Sequence, residues 1–214
     1  LRQLEYFEAD HGCAVVMEVE TGEIKAISNL GRTSEGKYFE KRNYALWEIQ
    51  EPGSTFKLAS LLAALDDKKI DTSTIVDTEK GKIFIHGSKV EDSERGGHGK
   101  ISAARVFEVS SNVGIVKLIQ KHYDENPEEF LKHIEDYGFT KKIGVPIKGE
   151  GIPIVPNPKD KTWNKISLEW MSWGYGIAVT PMQTLTFYNA VANNGVMVKP
   201  RFIKELRKQN KTQK

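Results

Sequence analysis

Residues 51–57 read Glu-Pro-Gly-Ser-Thr-Phe-Lys, and the interpretation of the whole chain starts from them. The proline and glycine end whatever precedes them, so we predict that a helix begins at about Ser54. Residues three apart share one face of a helix, and the Lys57 amine can therefore reach the Ser54 hydroxyl. A serine needs an adjacent base to act as a nucleophile, and a lysine is such a base only after its amine loses its proton. Ser54 and Lys57 are thus a candidate nucleophile and general base; the alternative is an N-capping serine beside a solvated lysine.

The residues that follow Lys57 predict a buried helix. Leucines stand at positions 58, 61, 62 and 65, which is the i, i+3, i+4, i+7 spacing of one helical face, and alanines lie alongside. Such a helix is apolar over most of its surface, so we expect it at the centre of the fold. Lysine is almost never fully buried without a partner. The position of Lys57 therefore favours the nucleophile–base hypothesis over the capping alternative.

A second motif, Ser-Ser-Asn at residues 110–112, lies between two predicted helices. Side chains in such a connection can project into a cleft. Ser110 could pass a proton between Lys57 and a leaving group, and Asn112 could hold a substrate amide through its donor and its acceptor. The alternative is that these residues only cap the following helix, as serine and asparagine often do.

Turn and capping signals predict most of the remaining elements. A β-hairpin is expected from strands at 14–20 and 24–28 around a turn, and residues 29–50 are expected to form polar loop. The other predictions are strands at 83–85, 89–90 and 202–206, a short helix capped by Ser102, a helix from a capping Asn126 and Pro127 to Tyr137, an extended segment at 144–165, and a helix after the capping box Thr180-Pro181-Met182-Gln183.

Composition excludes several classes of protein. The 31 basic and 29 acidic residues give a net charge of +2, which is too balanced to suggest nucleic-acid binding. A single cysteine, Cys13, excludes an internal disulfide. The longest apolar run, residues 58–65, is far too short to span a bilayer. The 39% hydrophobic and 28% charged content is that of a globular domain, and the length allows a substantial core.

Ser-x-x-Lys at the head of a buried helix, followed by Ser-x-Asn between helices, resembles the motifs of the penicillin-recognising serine acyl-enzymes. The wider segments 51–57, 110–114 and 174–183 are similar to those of class B penicillin-binding proteins. These are the monofunctional D,D-transpeptidases that cross-link peptidoglycan. Trp163-Asn164 and the run at 192–196 resemble the division-specific branch of that family.

The resemblance implies an α+β fold. It would be a partial β-lactamase/transpeptidase-like fold, mostly helical, with an N-terminal β-hairpin. The family's third motif, Lys-Thr/Ser-Gly on a sheet strand, is absent, because Gln213 rather than glycine follows Lys211-Thr212. The implied domains are a connection from a missing upstream pedestal domain at 1–12 and the N-terminal portion of the transpeptidase domain at 13–214, with the later sheet strands missing.

The same resemblance implies acyl transfer. Ser54, deprotonated by Lys57, would attack the carbonyl between the two terminal D-alanines of a stem peptide, and D-alanine would leave after protonation through Ser110 or Lys57. An amine of a neighbouring stem peptide would resolve the acyl-enzyme, while Asn112 holds the substrate amide. The Ser54 backbone N–H would be one oxyanion donor and a missing strand the other, so we expect this fragment to acylate about 100- to 1000-fold more slowly, or not at all. No cofactor and no metal ion are implied.

The implied partners are peptidoglycan stem peptides, as D-Ala-D-Ala donor and amine acceptor, together with β-lactam antibiotics and membrane proteins of the division complex, and no nucleic acid. The implied location is the periplasmic or extracytoplasmic face of the bacterial cytoplasmic membrane, with an anchor absent from this chain. Two alternatives stay open. A serine β-lactamase or β-lactam sensor domain of the same fold would be favoured by hydrolytic turnover of a β-lactam, and a non-catalytic division scaffold by a functional Ser54→Ala protein.

Overall fold

Strands and helices occur in separate runs along the chain in the computed structural model, which describes residues 1–208 and 211–213. The strands are β1 (His11–Met17), β2 (Ile24–Arg32), β3 (Tyr38–Glu40), β4 (Ile75–Asp77), β5 (Lys82–Ile85), β6 (Ser88–Glu91), β7 (Lys100–Ser102), β8 (Leu206–Lys208) and β9 (Lys211–Gln213). The helices are α1 (Arg2–Tyr6), α2 (Tyr44–Trp47), α3 (Lys57–Asp66), α4 (Ala103–Glu108), α5 (Asn112–Tyr123), α6 (Pro127–Asp136), α7 (Ser167–Ser172) and α8 (Pro181–Ala192). This mixture confirms the predicted α+β class.

The elements divide into two units. The sheet unit comprises Leu1–Gln50, Lys141–Ile152 and Val179–Lys214, and the motif unit comprises Glu51–Thr140 and Pro153–Ala178. The predicted catalytic residues all belong to the motif unit.

An antiparallel sheet with the strand order β1-β2-β3 organises the sheet unit. β1 pairs with β2 so that Val15 lies opposite Ile27, which confirms the predicted hairpin, although its first strand begins earlier, at His11. The Tyr38 hydroxyl lies 2.8 Å from the carbonyl oxygen of Leu4 and 2.6 Å from that of Ala9. The N-terminal residues therefore contact this sheet, and their assignment to a connection at 1–12 stays a prediction.

The core of the sheet unit joins α2 to α8. Its buried members are Ala45, Leu46, Val145 and Met182. The predicted capping box starts α8, because Thr180 Oγ1 accepts from the Gln183 N–H at 3.1 Å and Gln183 Oε1 accepts from the Thr180 N–H at 3.0 Å. Two backbone donors that the helix leaves unpaired are satisfied in this way.

Helix α3 lies at the centre of the motif unit, as the leucine spacing predicts. Its buried residues are Lys57, Ala59, Ser60, Leu61, Ala63 and Ala64. Ser60 Oγ donates a hydrogen bond of 2.7 Å to the Ser172 carbonyl and so ties α3 to α7. Phe56, which precedes α3, packs edge-on against Phe139 with 5.2 Å between the ring centroids. These contacts fix the start of α3, where the first motif lies.

The β5–β6 hairpin packs against α5, which begins in the second motif. The cluster that joins them consists of Ile83, Ile85, Val90, Val113 and Val116. The two turn residues, His86 and Gly87, have φ angles of 48° and 82°, as a tight two-residue hairpin turn requires. The strands predicted at 83–85 and 89–90 are confirmed, and they carry the chain to Asp92 beside the start of α5.

Some element predictions were wrong. The loop expected at 29–50 contains the end of β2, all of β3 and α2, because a short strand at a sheet edge tolerates polar residues. Residues 202–205, expected to be strand, are irregular, and β8 begins only at Leu206. Asn126 does not cap α6, since its amide donates to the Glu129 side chain instead. Within residues 1–208 and 211–213, none of the helices has the length and apolar character needed to cross a bilayer.

Candidate active site

The first motif forms a 3₁₀ turn followed by an α-helix. Ser54 is the second residue of the 3₁₀ turn Gly53–Phe56, which we call the nucleophile turn, and α3 begins at Lys57. Side chains three residues apart eclipse one another in 3₁₀ geometry, so Ser54 and Lys57 lie on one face. Ser54 is exposed, whereas only 1% of Lys57 is accessible. An accessible hydroxyl therefore precedes a buried amine by one turn.

Lys57 binds to the second motif. Its Nζ donates to the Ser110 carbonyl at 2.5 Å, to Ser110 Oγ at 3.0 Å and to Asn112 Oδ1 at 2.5 Å. The structure thus brings three of the four predicted catalytic side chains into direct contact. Among the residues that the structure describes, the Ser54 hydroxyl has no hydrogen bond to Lys57, whose three donors are already used.

The environment of Lys57 makes its amine easier to deprotonate. Burial lowers the pKa of Lys57 from an ordinary 10.5 to about 8, and the nearby negative charge of Asp92 opposes that fall. At pH 7 about one Lys57 amine in ten is then neutral. A neutral amine needs only two acceptors for its hydrogens, and its lone pair becomes free to accept a proton from a serine.

The three residues of the second motif have separate positions. Ser110 has a φ of 54°, a left-handed conformation that is uncommon for a serine. Ser111 is buried and caps α5, because its Oγ accepts from the Gly114 N–H at 2.9 Å. The capping alternative therefore describes Ser111, whereas Ser110 and Asn112 on either side of it contact Lys57.

Asp92 binds the second motif and the start of α5, a role that the sequence did not predict. Asp92 is only 7% exposed, and its carboxylate accepts from Ser111 Oγ at 3.0 Å and from the Val113 N–H at 2.9 Å. A carboxylate at the N-terminal end of α5 also interacts favourably with the helix dipole. Asp92 therefore fixes the start of α5 and places a negative charge near Lys57. In the sequence it is one acidic residue of Glu91-Asp92-Ser93, and no local pattern distinguishes it from a surface residue.

Both ends of the Asn112 amide are occupied within the chain. Oδ1 accepts from Lys57, and Nδ2 donates to the Glu91 carbonyl at 2.7 Å. The amide oxygen has a second lone pair and Nδ2 has a second hydrogen, so Asn112 can still accept from a substrate N–H and donate to a substrate carbonyl. The predicted role of Asn112 in holding a substrate amide stays a prediction.

The segment Gly174-Tyr175-Gly176 packs directly against the nucleophile turn. The Gly53 N–H donates to the Gly174 carbonyl at 3.0 Å, and the Gly176 N–H donates to Glu51 Oε1 at 2.9 Å. Gly174 has a φ of 91°, and a Cβ atom on it would overlap the backbone of Gly53. This segment therefore sets the position of the residue before Ser54, and Glu51 is a second side chain of the site that was not predicted.

We expect Gly174→Ala to destabilise the protein by about 2–4 kcal/mol, because alanine would be strained at this φ and would also push against Gly53. Thermal or chemical unfolding measures this loss. Gly87→Ala is the matched control, since Gly87 also has a positive φ, 82°, but no atom lies within 4 Å of the added Cβ. An equal loss of stability in the two variants would show that crowding against Gly53 adds nothing to the cost of the Gly174→Ala substitution.

Comparison with known proteins agrees with this arrangement. The family model described as penicillin binding protein transpeptidase domain matches residues 12–214. Stage V sporulation protein D of Bacillus subtilis is 31% identical over 95% of this chain and 32% of its own length. The peptidoglycan D,D-transpeptidase FtsI of Buchnera aphidicola is 29% identical over 88% of this chain and 33% of its own length. The chain thus spans about a third of the length of these relatives.

Solved structures support the same assignment. The apo structure of the TP domain from Burkholderia pseudomallei penicillin-binding protein 3 matches with a TM-score of 0.80 and 28% identity, over 93% of this chain and 55% of that one. A peptidoglycan glycosyltransferase from Burkholderia ambifaria gives a TM-score of 0.82 at 28% identity, over 99% of this chain and 62% of that one. The resemblance expected from the motifs is confirmed: the chain belongs to the penicillin-binding protein transpeptidase domain family.

Proposed function

We propose that the protein is a peptidoglycan D,D-transpeptidase that works through a serine acyl-enzyme. The observation that carries this proposal is the buried Lys57 amine, which contacts Ser110 and Asn112 and lies one turn after the exposed Ser54. A buried lysine with a pKa of about 8 suits the task of a general base near neutral pH.

In the first step, Ser54 Oγ transfers its proton to neutral Lys57 and forms a bond to the carbonyl carbon between the two terminal D-alanines. The C–N bond to the last D-alanine then breaks. Lys57 returns the proton to the departing amine, and Ser110 Oγ, 3.0 Å from Lys57 Nζ, is placed to relay it. Ser54 is left as an ester of the shortened stem peptide.

In the second step, an amine of a neighbouring stem peptide attacks that ester. The attacking nitrogen gives up a proton to Lys57, the new amide bond forms, and the ester oxygen leaves as the Ser54 hydroxyl after taking the proton back. The Ser54 N–H lies near the start of a helix, where backbone donors have no partner within the helix, and so suits an oxyanion site.

We further propose that the protein cross-links peptidoglycan during cell division, at the outer face of the cytoplasmic membrane and together with membrane proteins of the division complex. The motif resemblance to the division-specific branch and the transpeptidase FtsI among the relatives support this placement. β-Lactams, which mimic the D-Ala-D-Ala terminus, would acylate the same serine.

The activity can be tested directly with the full-length protein and synthetic stem pentapeptides. One peptide supplies the D-Ala-D-Ala terminus and a second supplies a free amine, and mass spectrometry follows D-alanine release and the joined product. We expect both, and neither with Ser54→Ala. Rapid repeated hydrolysis of penicillin without a joined peptide would instead identify a β-lactamase.

A further inference from the structure

Two cavities of the motif unit share a lining residue, Asn164. The larger, about 500 Å³, is lined by His86, Asp124, Trp163 and Lys165 among others. The smaller, about 370 Å³, is lined by residues that include Glu51, Thr162, Trp170 and Tyr175. Asn164 lines both. Each volume lies in the range of about 300–1,000 Å³ that is usual for ligand sites. We call the pair the Asn164 groove.

The smaller cavity lies beside the nucleophile turn. Glu51 lines it and precedes Ser54 by three residues, which limits the distance between their Cα atoms to about 11 Å. Tyr175 and Gly176 line it as well, and Gly176 is hydrogen-bonded to Glu51. A molecule that fills the smaller cavity therefore contacts residues that adjoin and position the nucleophile turn.

Aromatic rings and polar groups of mixed type line the groove. In the smaller cavity the Trp170 and Tyr175 rings meet edge to face, with centroids 5.9 Å apart and planes 70° apart. Thr162 and Asn164 add a hydroxyl and an amide to that cavity, and Trp163 adds a ring to the larger one. Rings combine a flat apolar face with polar surroundings, which suits a ligand whose faces are C–H and whose edges are hydroxyl and amide groups. Acetylated sugars have this chemistry.

Other polymers fit the lining less well. The lining residues belong to loops, turns and helices, so no strand edge is available within the groove for a peptide to extend a sheet. The lining includes one lysine, Lys165, and two carboxylates, Asp124 and Glu51, and such mixed charge does not favour a polyanion.

We propose that the Asn164 groove binds the sugar strand of peptidoglycan, as alternating N-acetylglucosamine and N-acetylmuramic acid, beside the serine that receives a stem peptide. This inference rests on the proposed function and adds to it a site for the glycan. Binding the strand would raise the local concentration of the attached stem peptides at Ser54.

The test uses the full-length protein and a peptide-free oligosaccharide of those two sugars, whose lactyl carboxyl groups are capped as simple amides so that the ligand is uncharged, with binding measured by calorimetry. Thr162→Trp would fill the smaller cavity, and Lys161→Trp, on the same exposed loop but outside both cavities, is the matched control. We expect Thr162→Trp to weaken sugar binding at least about tenfold, which is readily measured, and Lys161→Trp to leave it unchanged. Circular dichroism checks that both variants are folded.

Three results would overturn the inference. The first is no sugar binding by the unaltered protein, and the second is equal binding by both tryptophan variants. The third is a sugar-free stem peptide that binds more tightly than the oligosaccharide and is weakened by Thr162→Trp. Penicillin labelling of the unaltered protein is measured in parallel. If labelling succeeds and sugar binding fails, the glycan site is wrong and the transpeptidase proposal stands. If labelling fails, the transpeptidase proposal itself is wrong.

Discussion

Lys57→Met is expected to slow acylation of Ser54 by a β-lactam by about 10²–10⁴-fold, the usual contribution of a general base. Methionine keeps most of the volume of the buried side chain but cannot accept a proton. It also removes the donor that binds Ser110 and Asn112. The rate of covalent labelling by a fluorescent penicillin measures the effect in the full-length protein.

Lys68→Met is the matched control, because Lys68 is exposed just beyond the end of α3. Burial of the charged amine is unfavourable, as the fall in the pKa of Lys57 from 10.5 to about 8 shows, and methionine removes that cost. Circular dichroism and thermal unfolding check that both variants are folded before their labelling rates are compared. Labelling of Lys57→Met within threefold of the unaltered rate would exclude Lys57 as the base.

Acylation is expected to accelerate with pH, rising about tenfold per unit below a midpoint near 8 and levelling above it. The cause is that only the neutral Lys57 amine accepts the Ser54 proton. The difference between the pKa of Lys57 in the folded protein and in the unfolded chain also affects stability. Between pH 8 and 10.5 the unfolded chain holds a proton that folded Lys57 has lost, so the free energy of unfolding rises with pH in this window. Labelling rates measured from pH 6 to 10 test the first statement.

Asp92→Asn should move that midpoint to lower pH. Asp92 raises the pKa of Lys57 through its charge, and asparagine removes the charge while keeping an oxygen that can accept from Ser111 or Val113. Glu91→Gln is the control, since the Glu91 carboxylate is exposed and binds Lys89. An unchanged midpoint in Asp92→Asn would mean that Asp92 only supports the start of α5.

The local patterns predicted well what depends on local structure. The leucine spacing behind Lys57 and the capping box at Thr180 predicted α3 and α8, because helical periodicity and caps are properties of neighbouring residues. The loop predicted at 29–50 was wrong because β3 has only three residues, too few to show an alternating pattern, and is a strand only through its pairing with β2.

The same distinction applies to the site. Residues 51–57 and 110–112 were found because the reacting groups fall at fixed spacings. Asp92 was missed because its role comes from the packing of the β5–β6 hairpin on α5, which brings it to Ser111. Glu51 belongs to the first motif, but its contact with Gly176 joins residues 125 positions apart, so the motif itself predicts no role for it. The 3₁₀ form of the nucleophile turn was also not predictable. Its first residue, Gly53, is hydrogen-bonded to Gly174, which lies far along the chain, and no local pattern indicates that contact.

The most direct test of the account is to find the residue that a β-lactam acylates. The full-length protein is labelled with a fluorescent penicillin and digested with trypsin, and the labelled peptide is sequenced by mass spectrometry. We expect one label per chain, on the peptide of residues 43–57 and at Ser54. A label on the peptide of residues 106–117, which contains Ser110, or no label on either peptide would contradict the assignment of Ser54 as the nucleophile.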